Sequence, residues 1–371
     1  MTRAFTYVAL PMRVVFGAGV VSTLPEEVAA VGLTRVLVLC SPEQEGTGRR
    51  IAAALGNRAV DVLAEARMHV PVEVAERAGD AAREMRADGC VAVGGGSAIG
   101  LGKAVALQHG LPVVAVPTTY AGSEMTPVWG LTEGGVKRTG RDRRVLPVSV
   151  LYDPELTVTL PAGLSATSGV NALAHAVEGL YAPDASPIVS LMAEEGVRAL
   201  TAALPAVIAD GDDLDARAGA QYGAWLCGAV LGATTMSLHH KLCHVLGGAL
   251  DLPHAQTHTV VLPHALAHNA PAVPRAVAAL ARALGGLDDP ARQLWDLAGR
   301  LGAPRSLREL GMAEHDIPRV ADLVVADPYA NPRPVTRDGI AALLRRAWTG
   351  EPPRRLQSVS GSPSKTPSRS L

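Results

Sequence analysis

The chain has 371 residues, of which 48% are hydrophobic and 19% are charged. This length favours two domains, and the composition is that of an ordinary soluble globular protein. A net charge of -1 gives no reason to expect a nucleic acid or an acidic membrane surface as a partner. We expect neither a secretory signal nor a membrane span, because the required apolar runs are missing.

The four cysteines are scattered along the chain, and none forms a Cys-x-x-Cys pair. Each lies in an apolar segment, which favours buried thiols. Because disulfides persist mainly in oxidising compartments, this usage favours a reducing, cytoplasmic location.

The first 156 residues alternate short apolar runs with helical segments, which predicts an α/β domain built on a parallel sheet. Continuous apolar runs are typical of parallel strands that are buried on both faces. Strands are predicted at 36–40, 59–63, 90–93 and 112–117, and helices at 49–55, 72–87 and 98–108.

A glycine-rich turn joins the third predicted strand to the helix that follows. Glycines in this position allow backbone N–H groups to approach an anion, and the strand–turn–helix context favours the pyrophosphate of a dinucleotide. A purely structural tight turn is the alternative. Polar residues end the neighbouring strand at the same edge of the sheet. The candidate cofactor-binding residues are Gly94, Gly95, Gly96, Ser97, Thr118, Thr119 and Ser123.

The first predicted strand ends at Ser41, where NAD-specific enzymes often carry an acid for the ribose 2′-hydroxyl. Ser41 has no carboxylate to repel a 2′-phosphate. It therefore favours the use of both NADH and NADPH, a tendency that the nearby Glu43 would reduce.

The second part of the chain, 157–350, is rich in alanine and has helical periodicity, which predicts an all-α domain after a linker at 157–164. Residues 351–371 are rich in Pro, Ser, Arg and Lys, which predicts a disordered tail. Helices are predicted at 166–181, 187–207, 213–233, 273–284 and 290–301, with short ones at 306–310 and 314–327.

Residues 235–258 hold five of the eleven histidines. If this segment is helical, His240 and His244 lie one turn apart on one face. The Gly247–Gly248 pair would end that helix, and His254 would open the next. Converging imidazoles would suit a metal ion, a substrate oxyanion or a proton relay. Satisfied core histidines are the alternative.

Several motifs, in this order and spacing, resemble the iron-containing (group III) alcohol dehydrogenases. The resemblance runs from residue 16 to about residue 350. Longer stretches at 94–103, 117–127, 238–244 and 252–259 resemble the maleylacetate reductase branch of that family. The motifs are 94–97, 117–119, Asn171-x3-His175-x2-Glu178, His240-x3-His244 and Pro253-His254.

The resemblance implies a dehydroquinate synthase-like fold, in which a dinucleotide-binding α/β domain and a helical domain enclose the active site. It also implies an NADH- or NADPH-dependent enzyme that forms a homodimer. Metal-dependent relatives hold a divalent ion with one Asp and three His. The corresponding positions are Asn171, His175, His240 and His254, while His244 matches a histidine near the nicotinamide.

Asn171 departs from the metal-binding pattern. An amide oxygen is a neutral and weaker ligand than a carboxylate, so a hard divalent ion loses its only anionic ligand. We therefore expect no tightly bound metal, with weak or adventitious binding as the alternative.

The reaction implied by the resemblance is the reduction of maleylacetate, a dicarboxylate, to 3-oxoadipate during the breakdown of aromatic compounds. Our hypothesis is hydride transfer to the carbon beta to the ketone, with His240, His244 or His254 donating hydrogen bonds to the enolate. His175 completes the set of candidate catalytic residues.

Three further residues are candidates for contact with the substrate. Lys241 and His239 would attract carboxylates, and Tyr120 would contact the nicotinamide or the substrate. A surface position for Lys241 and a packing role for Tyr120 are the alternatives.

Other functions also fit the motifs. They are a metal-dependent alcohol or polyol dehydrogenase, a lyase of the same fold that uses NAD catalytically, and a non-catalytic binding protein.

Overall fold

The computed structural model describes residues 5–10, 12–134, 136–286, 289–327 and 329–354. Its first half contains a six-stranded, fully parallel sheet and a separate two-stranded hairpin. The strands are β1 (Arg13–Phe16), β2 (Val36–Leu39), β3 (Ala59–Leu63), β4 (Gly89–Gly94), β5 (Val113–Pro117), β6 (Val128–Glu133), β7 (Val136–Arg141) and β8 (Ser149–Tyr152). The order across the sheet is β1-β8-β5-β4-β2-β3.

Among the described residues, four α-helices pack against the sheet and nine form the second half. The first four are α1 (Leu24–Ala30), α2 (Glu45–Leu55), α3 (Val72–Glu84) and α4 (Gly96–His109). The others are α5 (Ala162–Gly179), α6 (Pro187–Ala209), α7 (Leu214–Ala233), α8 (Leu238–Leu250), α9 (His254–Asn269), α10 (Pro274–Ala283), α11 (Pro290–Arg300), α12 (Asp316–Ala326) and α13 (Arg337–Thr349). Within the described residues, no helix is both long and apolar enough to span a membrane.

The sheet is covered on both faces, as its continuous apolar strands predict. Every residue of β2 is buried. Val36 and Val38 pack with residues of α1 and α2, whereas Leu37 and Leu39 pack with residues of α3 and α4. This alternation follows from the two-residue period of a strand, and it explains why these runs show no polar face.

The helical half is built around α5, whose residues from Ser165 to Gly179 are all buried. The adjacent pair α6 and α7 approaches closely at Gly223. A Cβ at that position would lie 2.9 Å from the backbone nitrogen of Leu200 and 3.0 Å from the carbonyl oxygen of Gly196. The alanine- and glycine-rich sequence therefore allows close helix packing in a chain that has few aromatic residues.

The predicted α/β and all-α halves are confirmed, and no strand follows β8 within the described residues. The sequence prediction missed β1, α1, β8, the hairpin and α13. The short helix predicted at 306–310 is wrong, because residues 307–310 form a turn. Residues 355–371 of the predicted tail lie outside the described residues. The domain boundaries at 156 and 350 stay predictions.

The predicted end of the histidine-bearing helix is also wrong. α8 continues through Gly247 and Gly248 and ends at Leu250, and its C-cap Asp251 has a left-handed φ of 52°. Leu246 is buried and Leu250 is half-buried, and both pack with residues of α12 and α13. This packing outweighs the cost of two helical glycines, and Asp tolerates the left-handed conformation better than most residues.

A buried lysine joins α4 to the loop before the hairpin. The ammonium of Lys103 donates hydrogen bonds to the carbonyl oxygens of Ser123 and Val128 and to Oγ1 of Thr126. Burial lowers its pKa to about 7, although the nearby carboxyl group of Glu124 acts in the opposite direction.

This lowered pKa makes stability depend on pH. Lys103 has an ordinary pKa of 10.5 in the unfolded chain, so above pH 7 the unfolded state binds more protons than the folded state. We therefore expect the free energy of unfolding to rise with pH between pH 7 and about 8.5. The slope should exceed that of the Lys103→Met variant by up to about 1.4 kcal/mol per pH unit. Denaturant titrations at several pH values measure this slope. If the free energy of unfolding depended on pH equally in the two proteins, the lowered pKa of Lys103 would be contradicted.

Candidate active site

The glycine turn leaves open space at the start of α4. Gly94 ends β4 with a φ of 142°, and a Cβ there would lie 2.7 Å from Oε1 of Gln44. A Cβ at Gly95 would lie 2.8 Å from Cγ2 of Thr119, whereas a Cβ at Gly96 would meet no atom within 4 Å. The first two glycines are therefore required by packing, and the third leaves room beside the helix.

The N-terminus of α4 has the features of an anion site. No side chain caps it, so its first N–H groups face the open space, where the helix dipole favours negative charge. Gln44 joins the neighbouring strand ends, because its Nε2 donates a hydrogen bond of 2.7 Å to Oγ1 of Thr118. Ser41 begins the turn that contains Gln44. These residues could hold the pyrophosphate of a dinucleotide, since Thr118 and Thr119 contact Gln44 and Gly95 and Ser97 lies in the first turn of α4. Ser123 lies beside the helix further along, where its carbonyl oxygen accepts a hydrogen bond from Lys103.

Six imidazoles from three helices form one cluster. The ring of His240 lies 5.3 Å from that of His175, 6.3 Å from that of His244 and 5.1 Å from that of His258. The rings of His254 and His258 are 4.2 Å apart. The sixth ring, His239, lies 4.8 Å from that of His258. The structure therefore brings together all four histidines that the sequence assigned to catalysis.

The cluster has an exposed edge and a buried interior. His244 and His254 are exposed, whereas the other four rings are buried. Burial lowers the pKa of His239 to about 4 and those of His175, His240 and His258 well below their usual 6.5, and neighbouring imidazoles lower them further. The interior rings are therefore neutral at pH 7.

The cluster lies next to the loop that follows β5. A Cβ added at Gly122 would lie 3.5 Å from Nδ1 of His175. Nε2 of Gln221, on α7, donates a 3.4 Å hydrogen bond to the carbonyl oxygen of Pro117, at the end of β5. Thr119, which contacts Gly95, and Gly122 lie on the same loop, so the loop connects the glycine turn to the histidines.

Three atoms at the relatives' metal-ligand positions have no hydrogen-bond partner among the described residues. They are Oδ1 of Asn171, Nδ1 of His175 and Nε2 of His240, and all three are buried. Such atoms are typical of an ion site, but every one of these groups is neutral. Separately, nitrogen atoms of His239, His240 and His258 lie within 4.8 Å of one another.

The three candidate substrate residues have other contacts. Tyr120 is fully buried in the core of the helical half, and its hydroxyl accepts a hydrogen bond from Arg217. Lys241 forms a 2.9 Å ion pair with Asp327. Nε2 of His239 lies 3.1 Å from the carbonyl oxygen of His258. These positions favour the packing alternative for Tyr120, whereas the Lys241 side chain is half-buried and paired with the exposed carboxylate of Asp327.

Sequence reasoning gave no role to two residues at this site, one histidine of the cluster and one carboxylate beside it. His258 is one helical turn after His254 on α9, and both of its ring nitrogens are buried without a partner in the described residues. The four-residue spacing was the available signal. Glu178 is fully buried, and its Oε2 lies 2.7 Å from Nδ1 of His240. Its position in the Asn171 motif gave no indication of this partner.

Comparison with known proteins identifies the family. A model described as "Iron-containing alcohol dehydrogenase" matches residues 11–154, and its C-terminal counterpart matches residues 165–348. The chain belongs to the iron-containing alcohol dehydrogenase family. Within this family, the chain is 57% identical to the maleylacetate reductase of Sphingobium indicum and 56% identical to that of Burkholderia cepacia. These alignments cover 94% and 95% of this chain and 99% of each relative.

Solved structures of the iron-containing alcohol dehydrogenase family have the same fold. The maleylacetate reductase of Agrobacterium tumefaciens matches with a TM-score of 0.92 at 51% identity. A putative alcohol dehydrogenase from Ralstonia eutropha JMP134 matches with a TM-score of 0.94 at 60% identity. Each match covers 95% of this chain and 100% of the other.

Two alanine substitutions in the glycine turn test the cofactor site. In Gly96→Ala the new methyl group meets open space, so we expect unchanged thermal stability. The methyl group would occupy the room beside the helix N-terminus, so we expect the Kd for NADH to rise at least about tenfold, which is about 1.4 kcal/mol. Fluorescence titration measures this Kd. Gly95→Ala is the matched comparison, because its methyl group contacts Thr119 and should lower the melting temperature. An unchanged Kd for NADH in Gly96→Ala would contradict the placement of the cofactor site at the N-terminus of α4.

Proposed function

We propose that this protein is a maleylacetate reductase that uses NADH or NADPH to form 3-oxoadipate. The observation that carries the proposal is the imidazole cluster beside the loop from the glycine turn, in a chain 57% identical to an enzyme of that name. Such a cluster provides hydrogen-bond donors and protons where a ketone oxygen gains negative charge.

The start of α4 would hold the cofactor. The amides after Gly95 would hold the pyrophosphate, and the Thr118–Thr119 loop would position the dinucleotide toward His175. The reduced nicotinamide would supply a hydride to the carbon–carbon double bond of the substrate.

The exposed imidazoles are the ones that donate hydrogen bonds to the substrate. His244 and His254 are the exposed rings of the cluster, and in this proposal they donate hydrogen bonds to the enolate oxygen and one of them supplies the proton. His175 and His240 form the buried wall of the site. A dianionic substrate raises the pKa of imidazoles that it contacts, which favours their donor form.

A metal ion is not needed for this reaction. The donor set of Asn171, His175, His240 and His254 has no anionic member, so it should hold a divalent ion less tightly than the same set with a carboxylate. An enolate is less basic than the alkoxide that an alcohol dehydrogenase stabilises, so hydrogen-bond donors suffice. The metal-dependent alcohol dehydrogenase alternative is accordingly less favoured.

We also infer a homodimer in the cytoplasm. The four cysteines are buried and unpaired, as expected in a reducing compartment. Phe5, Tyr7, Val8, Ile188 and Leu191 are large apolar residues left exposed on the single chain. Burial of these side chains between two copies would stabilise a dimer.

Sedimentation equilibrium should give twice the chain mass, and a monomer at micromolar concentration would contradict this inference.

The activity is tested with maleylacetate and NADH, followed by the loss of nicotinamide absorbance. We expect His240→Ala and His244→Ala each to lower kcat by about 100-fold or more, because each removes a group that contacts or supports the reacting oxygen. His315→Ala is the matched control, since His315 is exposed and outside the cluster. Near-normal kcat in both cluster variants would contradict the proposed site. No turnover of maleylacetate by the unmodified protein would contradict the proposed function.

A further inference from the structure

Glu178 on α5 is fully buried, and hydrogen-bond donors surround its carboxylate. Oε1 accepts a 2.8 Å hydrogen bond from the backbone N–H of His239. Oε2 accepts a 2.9 Å bond from the backbone N–H of Ser237 and lies 2.7 Å from Nδ1 of His240. The hydroxyl of Tyr181 lies 3.4 Å from Oε1. This one side chain therefore contacts both the backbone and a ring at the start of α8.

The first of these contacts replaces an ordinary helix cap. Ser237 is the N-cap residue of α8, but its side chain makes no capping hydrogen bond. Glu178 supplies the missing acceptors from a neighbouring helix. Its negative charge also lies at the positive end of the α8 dipole, where it is stabilising.

The second contact determines the tautomer of His240. The backbone partners of Glu178 are N–H groups that only donate, so its oxygens act as acceptors at this position. An ionised carboxylate only accepts, so with Glu178 ionised Nδ1 of His240 carries a hydrogen that it donates to Oε2. In the neutral ring the lone pair is on Nε2, which is buried and without a partner among the described residues.

We propose that Glu178 is a positioning residue that holds the His240 ring by its Nδ1–H, so that Nε2 always faces the reacting end of the substrate. The proposal rests on the function proposed above and adds a residue to its site. An imidazole whose Nδ1 is held in this way cannot rotate by 180° and exchange the positions of Nδ1 and Nε2. Displacement of a reacting group by about 1 Å can lower the rate about 100-fold.

The test separates this role from helix capping. Glu178→Ala removes both, and we expect a lower melting temperature and a kcat that falls about 100-fold with little change in the Kd for NADH. The double variant Glu178→Ala/Ser237→Asp restores a local cap, because an N-cap carboxylate accepts from the N–H groups of His239 and His240. We expect its melting temperature to recover and its kcat to stay low. Recovery of kcat together with stability would show that Glu178 acts only as a cap and would overturn the proposal.

A spectroscopic measurement does not depend on activity. In protein labelled with ¹⁵N-histidine, His240 should carry its ring proton on Nδ1. In Glu178→Ala no carboxylate accepts from Nδ1, so the preference for the Nδ1–H form of His240 should be lost. A proton on Nε2 of His240 in the unmodified protein would overturn the proposal. Glu195→Ala, on the surface of α6, is the matched control and should change neither kcat nor the His240 signals.

This design distinguishes the two possible failures. If the unmodified protein does not reduce maleylacetate, the proposed function fails, while the NMR signals still report on Glu178 and His240. If the unmodified protein is active but His240 carries its proton on Nε2, or the double variant recovers its kcat, only the proposed role of Glu178 fails.

Discussion

The arrangement of the site depends on a carboxylate buried between two helices. Glu178 contacts the backbone of α8 where that helix begins and the first ring of the His240-x3-His244 pair. A buried carboxylate is costly unless N–H groups surround it. The same contacts that satisfy Glu178 therefore fix the position of α8 against α5, and with it the positions of the neighbouring imidazoles.

The histidines divide into a neutral interior and an exposed edge. The buried rings stay uncharged because desolvation and neighbouring imidazoles oppose protonation. At the metal-ligand positions that the family resemblance implies, Asn171 stands in place of the only anionic ligand. In the proposed reaction, a dianionic substrate entering at His244 and His254 would bring the negative charge that favours protonated imidazoles.

Local pattern explains which parts of this site were predictable. The glycine turn follows from a strand, a run of glycines and a helix, and the His240–His244 pair follows from helical spacing. The apolar runs of β2 and β4 predicted a sheet covered on both faces. Each of these features depends on residues close together in the chain.

The features that were missed depend on contacts distant in the sequence. Glu178 meets its partners about 60 residues later, and Tyr120 is held by Arg217 of α7. The end of α8 is set by packing of Leu246 and Leu250, against the local preference of two glycines. The β6–β7 hairpin carries polar residues along its second strand, which concealed its strand character.

The central claim is that hydrogen-bond donors, without a bound ion, absorb the negative charge of the reaction. The most direct measurement is the metal content of purified protein, before and after chelation, together with its activity on maleylacetate, in the unmodified chain and in Asn171→Asp. The account predicts far less than one ion per chain and full activity after chelation in the unmodified protein, with measurable binding of a divalent ion only in Asn171→Asp. One iron or zinc ion per unmodified chain, lost together with activity on chelation, would contradict it.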